Sequence, residues 1–408
     1  MVAETKKKII KDVLLNIVAT ALPIIILQLI IQPIVAKRVG SESYGLMLTL
    51  IGVFQIGRGV FGNSLNNIRL LSDRQYREAQ LVGDFNILLV SGIGANIILL
   101  IGATWYYQGS FDVIAILWIV AIGTIELINI YLSVTYRLRL NYRDMLIFNV
   151  FVGLGYLIGF MLFFITGTWQ LIFLIGNLIG LVCNLYKTRL LTEPFKKTQL
   201  FKHTRSRYVS LLLAVGLSSI VLYFDRILLY PLWGGTQVSI YFSASIVGKI
   251  LLKGVEPMTN VFLSHVVKLD KIDTKRYLKM FVLFLVLCVL GYLLCLVIST
   301  PLIRLLYPDW AEESLQYVPY TVGTAIFTIM MSVMNPILLR FTHMYWQIIL
   351  KAIYAVSYIG VIFIAATYGS LMQFSIGVMI ISALIVILMF PMSIYAIRSN
   401  QEKSDLLN

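Results

Sequence analysis

Arg58, Glu126, Asp225, Arg226, Lys249, Lys253 and Glu256 interrupt stretches of sequence that are otherwise apolar. A cation at the centre of a bilayer costs about 2.5 to 3.5 kcal/mol on insertion scales, so Arg58, Lys249 and Lys253 together would cost roughly 8 to 10 kcal/mol if they faced lipid. They must instead face water, a counter-charge or an anionic ligand. An arginine offers a planar fork and a lysine a point charge, so the chemistry open to this set is recognition of an anion. Lys249, Lys253 and Glu256 are spaced i, i+4, i+7 and share one helical stripe. Glu126, Asp225 and Glu256 are charge partners for these cations or carriers of a coupled H⁺ or Na⁺.

Plainer readings stand beside these. Lys253 and Glu256 can satisfy each other as an i, i+3 pair. Asp225 and Arg226 are adjacent, point about 100° apart on a helix, and are expected to pair poorly. Arg226 lies within two turns of a segment end, where it can snorkel to the interface or face a cavity. Arg58 and Lys249 lie nearest the middle of their segments, where snorkelling is hardest. Gly57, Gly59 and Gly62 around Arg58, and Pro257 beyond the lysine stripe, serve either bending or close packing.

The elements that carry these residues are apolar segments of about 20 residues, the length that crosses a hydrocarbon core as a helix. Twelve are predicted: 11–36, 42–67, 81–105, 112–136, 146–166, 170–186, 208–232, 238–264, 278–299, 316–339, 346–367 and 371–396. Lys and Arg concentrate in alternate connections. Twenty-five of the 33 fall in the two termini and the second, fourth, sixth, eighth and tenth connections, against Lys37, Arg38 and Arg304 on the opposite side. Cytoplasmic loops retain Lys and Arg, so both termini are expected in the cytoplasm of a multi-pass protein of the cell (plasma or inner) membrane. The net charge of +14 is then mostly a topology signal, and a nucleic-acid partner is not expected.

Composition sets further limits. With 59% hydrophobic and 13% charged residues, little of the chain is left for a separate soluble domain. The first apolar segment is too long for a signal-peptide core and lacks a small-residue cleavage site, so it is expected to remain as a helix. Cys183, Cys288 and Cys295 lie within apolar segments without metal-ligand spacing and read as packing residues. His203, His265 and His343 fall at cytoplasmic ends. The one carboxylate cluster on the outer side, Asp309, Glu312 and Glu313, sits on an eight-residue connection that reads as a solvated turn. No catalytic constellation, metal site, cofactor site or phosphate-binding glycine loop is present, which argues against an enzyme such as a membrane glycosyltransferase or polysaccharide polymerase.

The longest hydrophilic connection, 187–207, carries seven cations and Pro194 and divides the segments six and six. The halves echo each other, PIVAKRVGSESYG at Pro33–Gly45 against PLWGGTQVSIY at Pro231–Tyr241. Paired halves with a substrate site between them are a common transporter plan. The expected fold is all-α and integral to the membrane, with twelve transmembrane helices in two six-helix lobes around a central cavity. The expected divisions are an N-terminal lobe at 1–190, a basic cytoplasmic linker at 191–207 and a C-terminal lobe at 208–408.

Three runs carry a family resemblance. VGSESYGLMLTL at Val39–Leu50 resembles the "LGPExYG" opening of the second helix in the polysaccharide transporter (oligosaccharide flippase) family, which shares a superfamily with the MATE multidrug exporters. FGNSLNNIRLLS at Phe61–Ser72 is similar to the end of that helix, with Gly62, Asn63, Ser64 and Arg69 in place and Val60 where the family often has Asp. The stretch Tyr223–Ile250 resembles the family's seventh-to-eighth-helix segment at Asp225, Arg226, Leu228, Leu229, Tyr241, Ser243 and Ala244, and Pro257 falls where that helix commonly has a proline. The topology resemblance covers the whole chain and the motifs about a fifth of it.

The resemblance implies a flippase that carries undecaprenyl-diphosphate-linked oligosaccharide from the cytoplasmic to the outer leaflet for O-antigen, capsule or exopolysaccharide assembly. It implies as partners the lipid-linked oligosaccharide diphosphate, membrane lipids, a coupled H⁺ or Na⁺, and a polysaccharide polymerase. Arg58, Lys249, Lys253 and Arg226 then form the cationic cavity, with Glu126, Asp225 and Glu256 in coupling or pairing roles. The alternative is a MATE-type small-molecule or drug antiporter, although cationic drugs favour acidic cavities and the mid-segment excess here is basic. A major-facilitator transporter would want a glycine-rich loop where this chain has SDRQYR at Ser72–Arg77.

The charge asymmetry makes one prediction directly. Topology reporters fused at Thr198 and at the C-terminus read cytoplasmic, and one at Gly109 reads outside. Thr198 and Gly109 on the same side would overturn the twelve-helix scheme.

Overall fold

The structure, a computed structural model, describes residues 18, 21–139, 141–266, 273–342 and 344–406. Lys6, Lys7, Lys8, Lys11, Lys268, Lys271 and His343 lie outside these residues, as do the side chains of Glu256, Pro257 and His265. The described residues are helical almost throughout, with no strand. In chain order the long helices are α1 (Gln32–Gly57), α2 (Ser64–Glu78), α3 (Phe85–Gln108), α4 (Val113–Leu132), α5 (Tyr142–Thr166), α6 (Gln170–Lys187), α7 (Phe201–Ile227), α8 (Leu229–Val266), α9 (Thr274–Leu306), α10 (Val318–Phe341), α11 (Met344–Tyr368) and α12 (Leu371–Leu406). Among the described residues ten helical stretches are long and apolar enough to cross a membrane, or eleven if the bent pair Phe201–Gly216 and Val221–Ile227 counts as one span. The first, Ala21–Glu78, is 58 residues long and takes in the described part of the first expected segment, from residue 21, and all of the second. The protein is a multi-pass membrane protein built from helices.

Local sequence explains where these helices begin and end. The Asp112 carboxylate accepts from the Ile114 and Ala115 N–H groups at 2.9 and 3.3 Å and caps α4. The Asn141 side chain does the same for Asp144 N at the start of α5. Gly109 and Gly167 close α3 and α5 with φ of 68° and 73°, the left-handed conformation that glycine adopts without a Cβ penalty.

The chain packs as two compact units, Met1–Val238 and Ser239–Asn408. In the first, α5 and α6 meet through two small-xxx-small pairs. A Cβ on Gly155 would lie 2.7 Å from Gly176 Cα, and one on Gly159 would lie 2.5 Å from the Leu171 carbonyl oxygen. Glycine at these positions lets two backbones touch, which is how helices associate where lipid supplies no hydrophobic drive. Beside them a polar chain joins α4 to α6: Asn184 Nδ2 donates to Asn129 Oδ1 at 2.9 Å, Asn129 Nδ2 donates to the Asn177 carbonyl at 2.8 Å, and Tyr136 donates to Asn184 Oδ1 at 2.9 Å.

The basic connection after α6 is a docked strap. Arg69 of α2 grips Glu193 bidentately at 2.5 and 2.6 Å, with its guanidinium 4.3 Å from the centre of the Phe85 ring. Asn86 Nδ2 donates to the carbonyls of Glu193 and Leu191 at 2.7 and 3.2 Å. Buried Asp84 accepts from the Thr198 backbone N–H and from the Thr198 and Tyr76 hydroxyls. Helix α7 starts at Phe201, inside the stretch 191–207, and it packs in the first unit against α1, α2 and the turn between them.

The echoed motifs hold matching backbone breaks. Helix α1 breaks at Gly40, with φ 80° and ψ 165°, and α8 breaks at Gly234, with φ 79° and ψ 178°. This region is essentially reserved for glycine, so each half of the chain spends one glycine on the turn between two apolar segments.

Candidate functional site

Arg58 opens a six-residue π-helical turn, Arg58–Asn63, between α1 and α2. Such a turn widens the helix locally and recurs at functional sites. All three neighbouring glycines are close-contact positions. A Cβ on Gly57 would meet Asn96 Oδ1 at 1.9 Å, one on Gly59 would meet Ser219 Oγ at 2.7 Å, and one on Gly62 would meet Ile130 at 2.3 Å. The packing role is thus present in the structure, and these glycines let the turn sit directly against α3, α7 and α4.

The Arg58 guanidinium has a carboxylate. Its Nη1 donates to Gln55 Oε1 at 2.9 Å and lies 3.5 Å from Glu126 Oε1, and Gln55 Nε2 donates to that same Glu126 oxygen at 2.9 Å. The two charges differ sharply in exposure, with side-chain values of 39% for Arg58 and 8% for Glu126. The arginine therefore keeps an open face while its counter-ion is enclosed. The other Glu126 oxygen is buried with no hydrogen-bond partner among the described residues, as are both polar atoms of Asn96 on α3. Gln55 escapes a search for charged residues, although its spacing of three from Arg58 places it on the same helical face.

Asp225 and Arg226 on α7 do approach each other. Arg226 Nε lies 3.5 Å from Asp225 Oδ1 and both residues are buried; the contact is within ion-pair range but makes no hydrogen bond between these two atoms, in keeping with the expected poor pairing. The length of the arginine stem narrows the roughly 100° separation of the two Cβ directions to that distance. That stem lies on Gly52 of α1, where an added Cβ would be 3.0 Å from Arg226 Cδ, and the guanidinium stands 5.3 Å from the Tyr223 ring centre. Arg226 is 7% exposed, which removes the snorkelling alternative in this structure. Tyr223 lies within electrostatic reach of Arg58, Glu126, Asp225 and Arg226.

In the second unit, Lys249 on α8 is half-buried with its Nζ 4.8 Å from the Phe242 ring centre, and Lys253 one turn on is exposed. The Glu256 side chain, third on the expected stripe, lies outside the described residues. Lys351 in α11 is a further cation within an apolar span, legible in the sequence as a lone lysine and passed over by the search for clustered charge. The acidic connection after α9 folds as short helices, Pro308–Trp310 and Ala311–Leu315, with Trp310 Nε1 donating to buried Ser243 Oγ at 2.9 Å and Arg304 pairing with Glu312 at 3.0 Å.

No protein-family model matches this sequence. No curated protein matches it either. Solved structures do. A MATE structure in complex with MaL6 aligns with a TM-score of 0.64 at 13% identity, covering 96% of this chain and 97% of that one. A MOP superfamily transporter from Pyrococcus furiosus Vc1, described as having a binding pocket of reverse polarity that suggests a different function, aligns with a TM-score of 0.62 at 13% identity over 97% and 96% of the two chains. An inward-facing multidrug resistance MATE family transporter of the MOP superfamily aligns with a TM-score of 0.60 at 15% identity over 95% and 99%. The chain thus shares, over almost its whole length, the all-helical fold of the MATE transporters.

Proposed function

We propose that this protein is a flippase that moves undecaprenyl-diphosphate-linked oligosaccharide from the cytoplasmic to the outer leaflet by alternating access, supplying a polysaccharide polymerase in O-antigen, capsule or exopolysaccharide assembly. The observation that carries the reading is Arg58. It is an arginine within an apolar span, set on a π-turn, with an open guanidinium face and a shielded carboxylate behind it. A planar guanidinium fork can grip the oxygens of a diphosphate through two parallel bonds. Buried Arg226 in the first unit and Lys249 and Lys253 in the second are further cations within apolar spans that carry the same preference. The motif resemblance at Val39–Leu50, Phe61–Ser72 and Tyr223–Ile250 supplies the lipid-linked sugar.

Outward movement of negative charge runs with the usual membrane potential, by about 2.3 kcal/mol per charge per 100 mV. Glu126 offers a second driving force. A diphosphate that draws Arg58 away leaves a buried carboxylate without its counter-ion, which favours uptake of H⁺ or Na⁺ there. Asp225, already beside Arg226, is the second candidate for this coupling.

A MATE-type antiporter of small molecules is the second reading. It is favoured by the multidrug transporters among the structural neighbours, whose fold alone does not fix the substrate. Proteoliposomes loaded with a fluorescent undecaprenyl-diphosphate sugar, and in parallel with a cationic dye, separate the two. The flippase reading expects protein-dependent loss of the lipid from one leaflet and no dye accumulation. Dye transport without lipid movement would replace it with the antiporter reading.

A further inference from the structure

The two echoed breaks touch each other. The Glu42 carboxylate, two residues past the Gly40 break, accepts from Gly235 N at 3.0 Å, Thr236 N at 2.8 Å and the Thr236 hydroxyl at 3.0 Å, just past the Gly234 break. Ser41 Oγ lies 3.2 Å from Thr236 Oγ1. Below these contacts the backbones are in direct apposition, since a Cβ on Gly45 would fall 1.9 Å from the Gly235 carbonyl oxygen and one on Gly235 would fall 2.2 Å from the Glu42 carbonyl oxygen. An acid from α1 thereby caps the resumed helix of α8, supplying the anion that a helix start favours from a different element.

We propose that Glu42 is a releasable latch between the two half-chain breaks on the side opposite the Lys- and Arg-rich connections, and that it must let go of Gly235 and Thr236 for transport to proceed. The contacts suit a seam that opens. The buried Gly45–Gly235 apposition is dry, like Gly155 on Gly176, but the Glu42 carboxylate beside it is exposed and its bonds are to groups that water can serve once they part. Gly45 and Gly235 put no side-chain bulk at the seam, so the closed form brings backbone onto backbone and the open form strands no buried polar group. The strap bond between Arg69 and Glu193 is the contrasting case, with both side chains 15% exposed and an aromatic ring covering the arginine.

This inference rests on the alternating-access part of the proposed function and not on the substrate, so its test has a substrate-free arm. In the full-length protein in proteoliposomes, a Thr236→Cys thiol is labelled with a membrane-impermeant maleimide. Adding Glu42→Ala is expected to speed labelling about tenfold, the population shift that follows loss of one charge-assisted hydrogen bond, while Glu42→Asp stays closer to the parent. Equal labelling rates with and without the Glu42→Ala change would overturn the latch. In a second arm, Ser41→Cys with Thr236→Cys is oxidised, which needs the facing atoms to close from 3.2 Å to a disulfide of about 2 Å. Movement of the fluorescent lipid is expected to stop on oxidation and return on reduction. Transport unchanged by the cross-link would also overturn the latch. Glu42-dependent labelling in a protein that moves no lipid-linked sugar would leave the latch standing and count against the proposed substrate.

Discussion

Arg58→Ala is expected to abolish surface polysaccharide export and to lower the thermal stability of the detergent-solubilised protein by about 1 to 3 kcal/mol, while Arg58→Ala with Glu126→Gln recovers the stability and leaves export abolished. The reasoning is asymmetric. Removing the arginine leaves Glu126, with an 8% exposed side chain and one oxygen already unpartnered, as a buried charge without its counter-ion. The range sits below that for a fully enclosed pair because Arg58 itself is 39% exposed and screened. Glutamine removes the orphaned charge and keeps a group that Gln55 can bond. If Arg58 serves only to neutralise Glu126, the double variant regains export with stability. Arg58→Lys should rescue partly, since a point charge replaces the two-pronged donor. Melting curves and surface-polysaccharide immunoblots of the same variants check both halves.

Gly159→Leu should cost about 3 kcal/mol or prevent accumulation of the protein, because four added carbons must enter where a single Cβ already meets the Leu171 carbonyl oxygen at 2.5 Å and Ile172 Cα at 2.7 Å. Neither contact is a flexible side-chain tip, so α5 and α6 would have to separate along the Gly155–Gly176 line. Gly102→Leu in α3 is the control, since nothing lies within 4 Å of its Cβ position. It is expected to accumulate and melt like the parent. Equal behaviour of the two variants, read by fluorescence-detected size exclusion and thermal melts, would remove the close backbone contact from the account.

The spans were legible because a bilayer demands a long apolar run, and each expected segment meets helix within a few residues wherever the chain is described. Interactions within the spans were less so. Arg58 stands out in a sequence because its charge is costly in lipid, but Gln55, which ties it to Glu126, is one amide among many polar residues. Asp225 and Arg226 approach to 3.5 Å because an arginine stem has reach, a contact that Cβ directions alone do not reveal. Arg69 fits the count of Lys and Arg in alternate connections, yet its pairing with Glu193 depends on a strap whose path no periodicity encodes. The spacings Gly155 to Gly159 and Gly176 to Gly180 are readable as helix-contact motifs, while their apposition is a fact of three dimensions. Gly40 and Gly234 sit within the echo that the sequence displays, but two matching words do not reveal that Glu42 of one reaches the backbone of the other.

The central claim is that Arg58 handles the diphosphate of a lipid-linked sugar. Its most direct test is the rate at which a fluorescent undecaprenyl-diphosphate oligosaccharide changes leaflet in proteoliposomes, comparing the parent protein with the Arg58→Ala, Glu126→Gln variant at matched reconstitution. The account predicts transfer well above empty vesicles for the parent and a rate equal to empty vesicles for the variant. A stable variant that moves the lipid as fast as the parent would contradict it.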